Sequence, residues 1–246
     1  MRNKLPILAL SLVLGAGWVW AAPPTTDSQA LGDIQVRLGK AKVDKHGAVQ
    51  VTLSNGVATL TGTVDNLGSK LDAEKAARKV RGVTQVLDNI DVRAEDLTDQ
   101  QIVNQAGHEL LMYYAYGMFD YVNLEVNHGT LIVSGEVTQP FKKKDMENFL
   151  ERVRGVAEIQ NNLEVLPNSQ FDDRLRMQLA RAIYGNPLFT PYANLAIPPI
   201  HIIVKNGNIT LEGVVNSTMD RTEAGIVANR TGLSFSVVNN LRVVKA

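Results

Sequence analysis

No cysteine occurs among the 246 residues. Disulfides, thiolate metal sites, cysteine nucleophiles and a lipid anchor carried on cysteine are therefore excluded, and packing alone must hold the fold. Net charge is also lacking, since 25 basic side chains balance 25 acidic ones. No whole-molecule field then draws nucleic acid or an anionic membrane, and electrostatic binding has to come from local patches. The four histidines, His46, His108, His128 and His201, show no pair at metal-ligand spacing. Gly-x-Ser-x-Gly, phosphate-loop and dinucleotide signatures are missing as well. The expectation is a binding or structural protein rather than an enzyme, with no cofactor, no metal and no nucleic-acid partner.

Long hydrophobic runs are confined to one place. Leu5 to Trp20 is uncharged, follows Arg2 and Lys4, and ends at Val19-Trp20-Ala21. A positive start, an apolar middle and a small residue at the cut describe a secretory leader. Residues 1–21 are expected to be a cleaved signal peptide and the mature chain to be periplasmic, with no later stretch able to span a bilayer. Apolar content of 45% and charged content of 20% are ordinary for a folded globular chain.

What is present is a repeat. Asn55-Gly56 lies between the alternating runs Val49–Leu53 and Val57–Gly62, which is a strong hairpin signal. His128-Gly129 lies between Val122–Val126 and Thr130–Gly135, and Asn206-Gly207 between Ile200–Val204 and Asn208–Gly213. On the first strand Val49, Val51 and Leu53 match Val122, Leu124 and Val126, then Ile200, Ile202 and Val204. On the second, Ala58, Leu60, Gly62 and Val64 match Leu131, Val133, Gly135 and Val137, then Ile209, Leu211, Gly213 and Val215. A slip of one residue would turn each apolar set to solvent, so the three copies share one register. In this register His201 faces outward, and the strand glycines Gly62, Gly135 and Gly213 let a helix approach closely.

A helical period follows each hairpin: Ala73, Ala76, Ala77, Val80; Met146, Phe149, Leu150, Val153; Ala224, Val227, Ala228, Thr231. Ser69 and Ser217, three residues before Asp72 and Asp220, resemble capping residues. Gly82, Gly155 and Gly232 are read as left-handed caps ending these helices. A last strand carries Ile90 and Val92, Leu163 and Val165, or Leu241 and Val243. A helix also precedes each hairpin, marked by Leu31, Ile34 and Leu38, by Ile102, Ala106 and Leu110 after a Thr98–Gln101 capping box, and by Leu175, Leu179 and Ala182. The fold class is α+β: three tandem α-β-β-α-β units over residues 28–95, 97–167 and 170–246, each a three-stranded mixed sheet covered by two helices.

The pattern Asn-Gly…Leu-Thr-Gly, then Arg81-Gly-Val-Thr-Gln-Val86…Asn89-Ile90, with Arg154-Gly-Val-Ala-Glu-Ile159…Asn162-Leu163 in the second copy and Gly232…Val237…Asn240-Leu241 in the third, resembles the BON domain. That family takes its name from bacterial osmotically inducible and nodulation proteins. The resemblance implies a periplasmic location and, in several members, attachment to anionic phospholipid in support of envelope integrity under stress. It supplies no catalytic residues.

Three local features exceed this framework. Tyr113, Tyr114, Tyr116, Phe119 and Tyr121 crowd one short stretch, either closing a core or forming an interaction surface. Lys142, Lys143 and Lys144 start a helix, where cations oppose its dipole, and are either a solvated face or a contact for anionic headgroups. Residues 186–199 form a proline-rich apolar loop, packed down or functional. The leading expectation is a phospholipid-surface module using Lys142, Lys143, Lys144, Tyr113, Tyr114 and Tyr116. The alternative is an envelope scaffold that binds a protein partner or another copy of itself. Small-ligand binding is disfavoured, because a single repeat is too small to enclose a large pocket.

Overall fold

A computed structural model describes residues 26–93 and 96–244. The expected signal peptide and the Ala94-Glu95 part of the first linker lie outside the described residues. The first module runs α1 (Asp27–Lys40), β1 (Gly47–Ser54), β2 (Val57–Val64), α2 (Leu67–Arg78) and β3 (Gln85–Val92). The second runs α3 (Asp99–Met112), β4 (Tyr121–Asn127), β5 (Thr130–Val137), α4 (Pro140–Leu150) and β6 (Glu158–Val165). The third runs α5 (Gln170–Tyr184), a short α6 (Thr190–Ala193), β7 (Ile200–Lys205), β8 (Asn208–Val215), α7 (Thr218–Arg230), β9 (Ser236–Asn239) and β10 (Arg242–Val243). In each module the hairpin pairs antiparallel and the last strand joins its second strand in parallel, giving the mixed α-β-β-α-β sheet.

Both residues of every hairpin turn have positive φ: Asn55 and Gly56, His128 and Gly129, Asn206 and Gly207. This is the turn whose twist matches the strands, and asparagine and glycine are the residues that enter it most readily. His128 is thus a turn residue. Each turn is also clamped from the first helix. Asp27 Oδ2 accepts from the Asn55 amide at 2.8 Å, and Asp99 Oδ2 from His128 at 3.1 Å. Asp172 accepts from Asn206 and Gly207, both at 2.8 Å.

The strand glycines serve a different end from the expected helix approach. Gly62, Gly135 and Gly213 sit at φ 125°, 119° and 111°. A Cβ there would fall 2.0 to 2.1 Å from the carbonyl oxygens of Ala48, Tyr121 and Pro199 on the neighbouring chain segment. The close approach is strand to strand. The later glycines also differ from the expectation. α2 and α4 end at Arg78 and Leu150, before Gly82 and Gly155. Each of these glycines is the third residue of a tight turn closed by Val83 N–H to Val80 O or Val156 N–H to Val153 O. Only Gly232 directly follows a helix cap, Thr231. Ser217 caps α7 as expected, whereas the cap of α2 is Asn66, whose side chain accepts from the buried Ser69. The Thr98–Gln101 capping box is present.

Each module has its own core: Ile34, Leu60 and Ala77 in the first, Leu131, Met146 and Leu150 in the second, Leu179, Ile202 and Leu211 in the third. The last strand of the third module is interrupted, with Leu241 buried between β9 and β10. The proline-rich loop is packed down. Phe189 and Tyr192 join the third core, and the Tyr192 hydroxyl donates to Asp220 Oδ2 at 2.5 Å.

The modules meet through two unlike joints. Between the first and second, Leu67 and Gly68 N–H donate to Val156 O at 2.8 Å and Glu151 O at 2.7 Å, and Gly155 N–H returns to Asp65 O at 2.7 Å. Arg152 pairs with Asp72 at 2.7 Å and Arg154 with Asp96 at 2.8 Å. The start of one helix thus docks on the carbonyls beyond the end of another, which satisfies groups that both ends leave open. Between the second and third, Ile202 N–H on the edge strand β7 donates to Met118 O at 2.7 Å, and Lys205 pairs with Glu164 at 2.6 Å.

Candidate binding surface

The three lysines that open α4 are not equivalent. Lys142 is 12% exposed and donates to Asp120 Oδ2 at 2.7 Å and to Thr138 Oγ1 at 2.8 Å. Lys143 donates to Leu163 O at 2.8 Å. Lys70 makes the same bond to Ile90 O at 2.6 Å in the first module, and Arg221 reaches Asn239 O in the third. Basic residues eight positions after each strand glycine therefore tie the second helix to the last strand. Lys144 is exposed and pairs with Glu147 at 3.0 Å. The internal bonds of Lys142 and Lys143 explain why cations sit at a helix start despite its dipole.

The aromatic cluster divides in the same way. Tyr113 and Tyr116 are buried in the second core, and the Tyr113 hydroxyl donates to Asp145 Oδ2 at 2.9 Å. Burial, then that bond to a carboxylate, pushes the Tyr113 hydroxyl up. Phe119 packs on the third core. Tyr114 stands 83% exposed with its ring edge-on to Tyr113 at 5.2 Å, and Phe149, 45% exposed, lies 5.4 Å from Tyr113. Met112 at the end of α3 is 71% exposed. The buried Tyr113 thus carries two exposed rings, Tyr114 and Phe149, with Met112 exposed one residue before it in the chain and Lys144 on the same helix as Phe149. Of the six residues expected from sequence, Tyr114 and Lys144 are the two that are exposed. Met112 and Phe149 were missed. Phe149 read as a core position of its helix, and nothing local marks Met112.

A second group of cations lies on the first module. Arg37 and Lys40 on α1, with Lys75 and Lys79 on and beyond α2, line a groove of about 300 Å³. Their spacings of three and four residues put each pair on one helical face.

The joint between the second and third modules encloses a cleft of about 690 Å³, lined among others by Leu111, Tyr116, Tyr121, Val122, His201 and Arg242. Small-ligand space thus arises between repeats, where the expectation had considered only single repeats. His201 corrects a further expectation. It does point away from its own core, but the second module covers that face and leaves it 7% exposed. Its ring lies 5.5 Å from Tyr116 and 5.7 Å from Tyr121. Burial lowers the His201 pKa, with the backbone at Asp120 and Gly117 opposing. Glu136 in the same joint is pushed up by burial and by Glu212 and Glu164. Among the described residues no group of three or more His, Asp or Glu side chains is placed to hold a metal, and no helix is long and apolar enough to cross a membrane.

Among solved structures, the chain is similar to the C-terminal domain of CdsD, the structural protein of the type III secretion system of Chlamydia trachomatis. Identity is 16% over 89% of this chain and 100% of that one, at a TM-score of 0.26. A second CdsD structure gives 17% over 87% and 93%, at 0.25. Superposition at this level carries no functional argument. No curated protein matches. The BON domain profile matches residues 26–94, 118–167 and 172–245, the stretches that hold the three hairpins, their following helices and last strands. By that match and by its thrice-repeated α-β-β-α-β fold, the chain belongs to the BON domain family.

Proposed function

We propose that this protein acts in the periplasm as a membrane-surface module that supports the envelope, touching the bilayer with the second module. The observation that carries this reading is the exposure of Tyr114 and Phe149 around the buried Tyr113, with Met112 exposed one residue before it in the chain. Large apolar side chains left exposed around one buried ring suit an interaction surface, and a tyrosine suits the boundary between headgroups and acyl chains. Full burial of such side chains gives about 1.5–3 kcal/mol each; shallow insertion realises only part of that, so three give weak, reversible attachment. Lys142, Lys143 and Lys144 then act unequally. Lys144 faces the headgroups, while Lys142 and Lys143 hold the helix that presents Phe149. Arg37, Lys40 and Lys75 supply the remaining attraction to anionic lipid, the second signal that useful affinity requires.

Co-sedimentation with phosphatidylglycerol-containing vesicles and with neutral phosphatidylcholine vesicles tests this. The wild type should bind the anionic vesicles, and Tyr114→Ser with Phe149→Ser should remove most of that binding without loss of helicity. Arg37→Gln, Lys40→Gln and Lys75→Gln together should remove the preference for anionic lipid. Undiminished binding by the serine variant rejects the surface named here.

A further inference from the structure

We infer that the chain carries two complementary open ends of its own internal joint, and that the third module of one copy docks on the first module of the next. The inference is independent of the membrane reading. The joint between the first and second modules has two unlike halves. Its donor half is Asp65, Leu67 and Gly68 with Asp72, and its acceptor half is Glu151 O, Val156 O and Gly155 N–H with Arg152.

Counted from the strand glycines, the donor positions recur at Thr138, Pro140, Phe141 and Asp145 in the second module, and at Asn216, Thr218, Met219 and Glu223 in the third. In the second, Pro140 has no N–H to give and Phe141 puts a ring where Gly68 has a hydrogen. A Cβ at Gly68 would already lie 3.0 Å from the Arg152 side chain and 3.1 Å from the Glu151 carbonyl oxygen. That half is blocked, which is why the third module joins the second by another route. In the third module the Thr218 and Met219 amides open α7, with Ser217 capping Asp220 alone. Asn216, Thr218 and Met219 are exposed, where Gly68 is buried.

The acceptor half recurs in the first module as Arg78 O, Val83 O and Gly82 N–H, with Lys79 in the place of Arg152. Gly155 and Val156 are buried under the first module, whereas Gly82 is exposed and Val83 half-exposed. In the third module the glycine comes one residue early, at Gly232, so its acceptor half is altered. One donor half that keeps both amides, though with Met219 in place of glycine, and one intact acceptor half thus remain, on opposite terminal modules. Docked as the internal joint is, Glu223 meets Lys79 as Asp72 meets Arg152. The two halves are unlike, so the contact is heterologous and repeats into a ring or an open filament. Met219, larger than glycine, makes it looser than the internal joint and therefore reversible.

Sedimentation velocity of the purified chain over a wide concentration range, without lipid, tests this. The wild type should show a graded series of oligomers. Thr218→Pro removes one donor and copies the residue that Pro140 places at the equivalent first helical position, where proline is tolerated. Thr218→Pro and Lys79→Glu should each weaken association about tenfold, and Met219→Gly should strengthen it. Lys79→Glu combined with Glu223→Lys should restore it. Lys79→Glu alters only an exposed charge, so it reads the contact even if the proline variant folds poorly. A monomer at every concentration, a series that stops at a two-fold dimer, or association untouched by both Thr218→Pro and Lys79→Glu overturns the inference.

Discussion

Lys142 Nζ sits 2.7 Å from Asp120 Oδ2, and the carboxylate is 1% exposed. Asp120 also accepts from the Thr138 amide at 2.8 Å, so one buried charge ties the loop before β4 to the start of α4. Removing one partner of a buried pair leaves the other uncompensated, at about 3–5 kcal/mol. Asp120→Asn and Lys142→Gln are expected to cost this much in urea unfolding. Lys144→Gln, which breaks an exposed pair, should cost about 0–1 kcal/mol. Equal effects for Lys142 and Lys144 would contradict the assignment of Lys142 as a structural residue.

Leu60, Val133 and Leu211 occupy one equivalent position in the three cores and are all buried. Leu60→Ala and Leu211→Ala should each cost about 2–5 kcal/mol through lost burial and a residual cavity. Thermal denaturation read separately for each module, with single tryptophan reporters, checks that each variant weakens the module it belongs to.

The turn clamps predict an unequal series. Asp172 is fully buried and holds two amides, whereas Asp27 is exposed and holds one. Asp172→Ala leaves the buried Gly207 amide unsatisfied, at about 1–3 kcal/mol. Asp27→Ala returns its amide to water and should cost well under 1 kcal/mol on the same scale. Hydrogen exchange at Gly207 should quicken sharply in Asp172→Ala and hardly change at Asn55 in Asp27→Ala.

The joint between the second and third modules should loosen in mild acid. The His201 pKa is lowered from its ordinary 6.5 by burial. A base with a depressed folded pKa binds more protons when unfolded, so its stabilising contribution is complete above 6.5 and declines as pH falls from there toward the folded value. Glu136, whose pKa is raised, acts in the opposite sense. Its unfavourable burial as a carboxylate is relieved by protonation, so it favours the closed joint as pH falls. Asp120, Tyr116, Tyr121, Glu212 and Arg242 also face this joint. The difference between wild type and His201→Gln isolates the histidine. Melting temperatures between pH 5 and 8 should fall toward acid more steeply in the wild type. Parallel curves would remove His201 from the account.

The sequence by itself determined the unit, its register and its turns. Alternation such as Val122, Leu124, Val126 places one strand face inward, and Asn-Gly or His-Gly enters a left-handed turn; both depend on residues close along the chain. A strand glycine announces a constraint without naming its cause, so Gly62 read as room for a helix when the neighbour was the Ala48 carbonyl. The tertiary structure alone decided which polar residues are available. Lys142 and Lys144 look alike in sequence and differ because Asp120 lies beside one of them. His201 follows the alternation of its strand but is buried by a different module, and Tyr113 and Tyr114 are adjacent yet fall on opposite sides of the core boundary. Such burial comes from contacts between residues far apart in the chain, Met118 with Ile202 or Gly155 with Asp65, and these are set by how whole modules dock rather than by any local period.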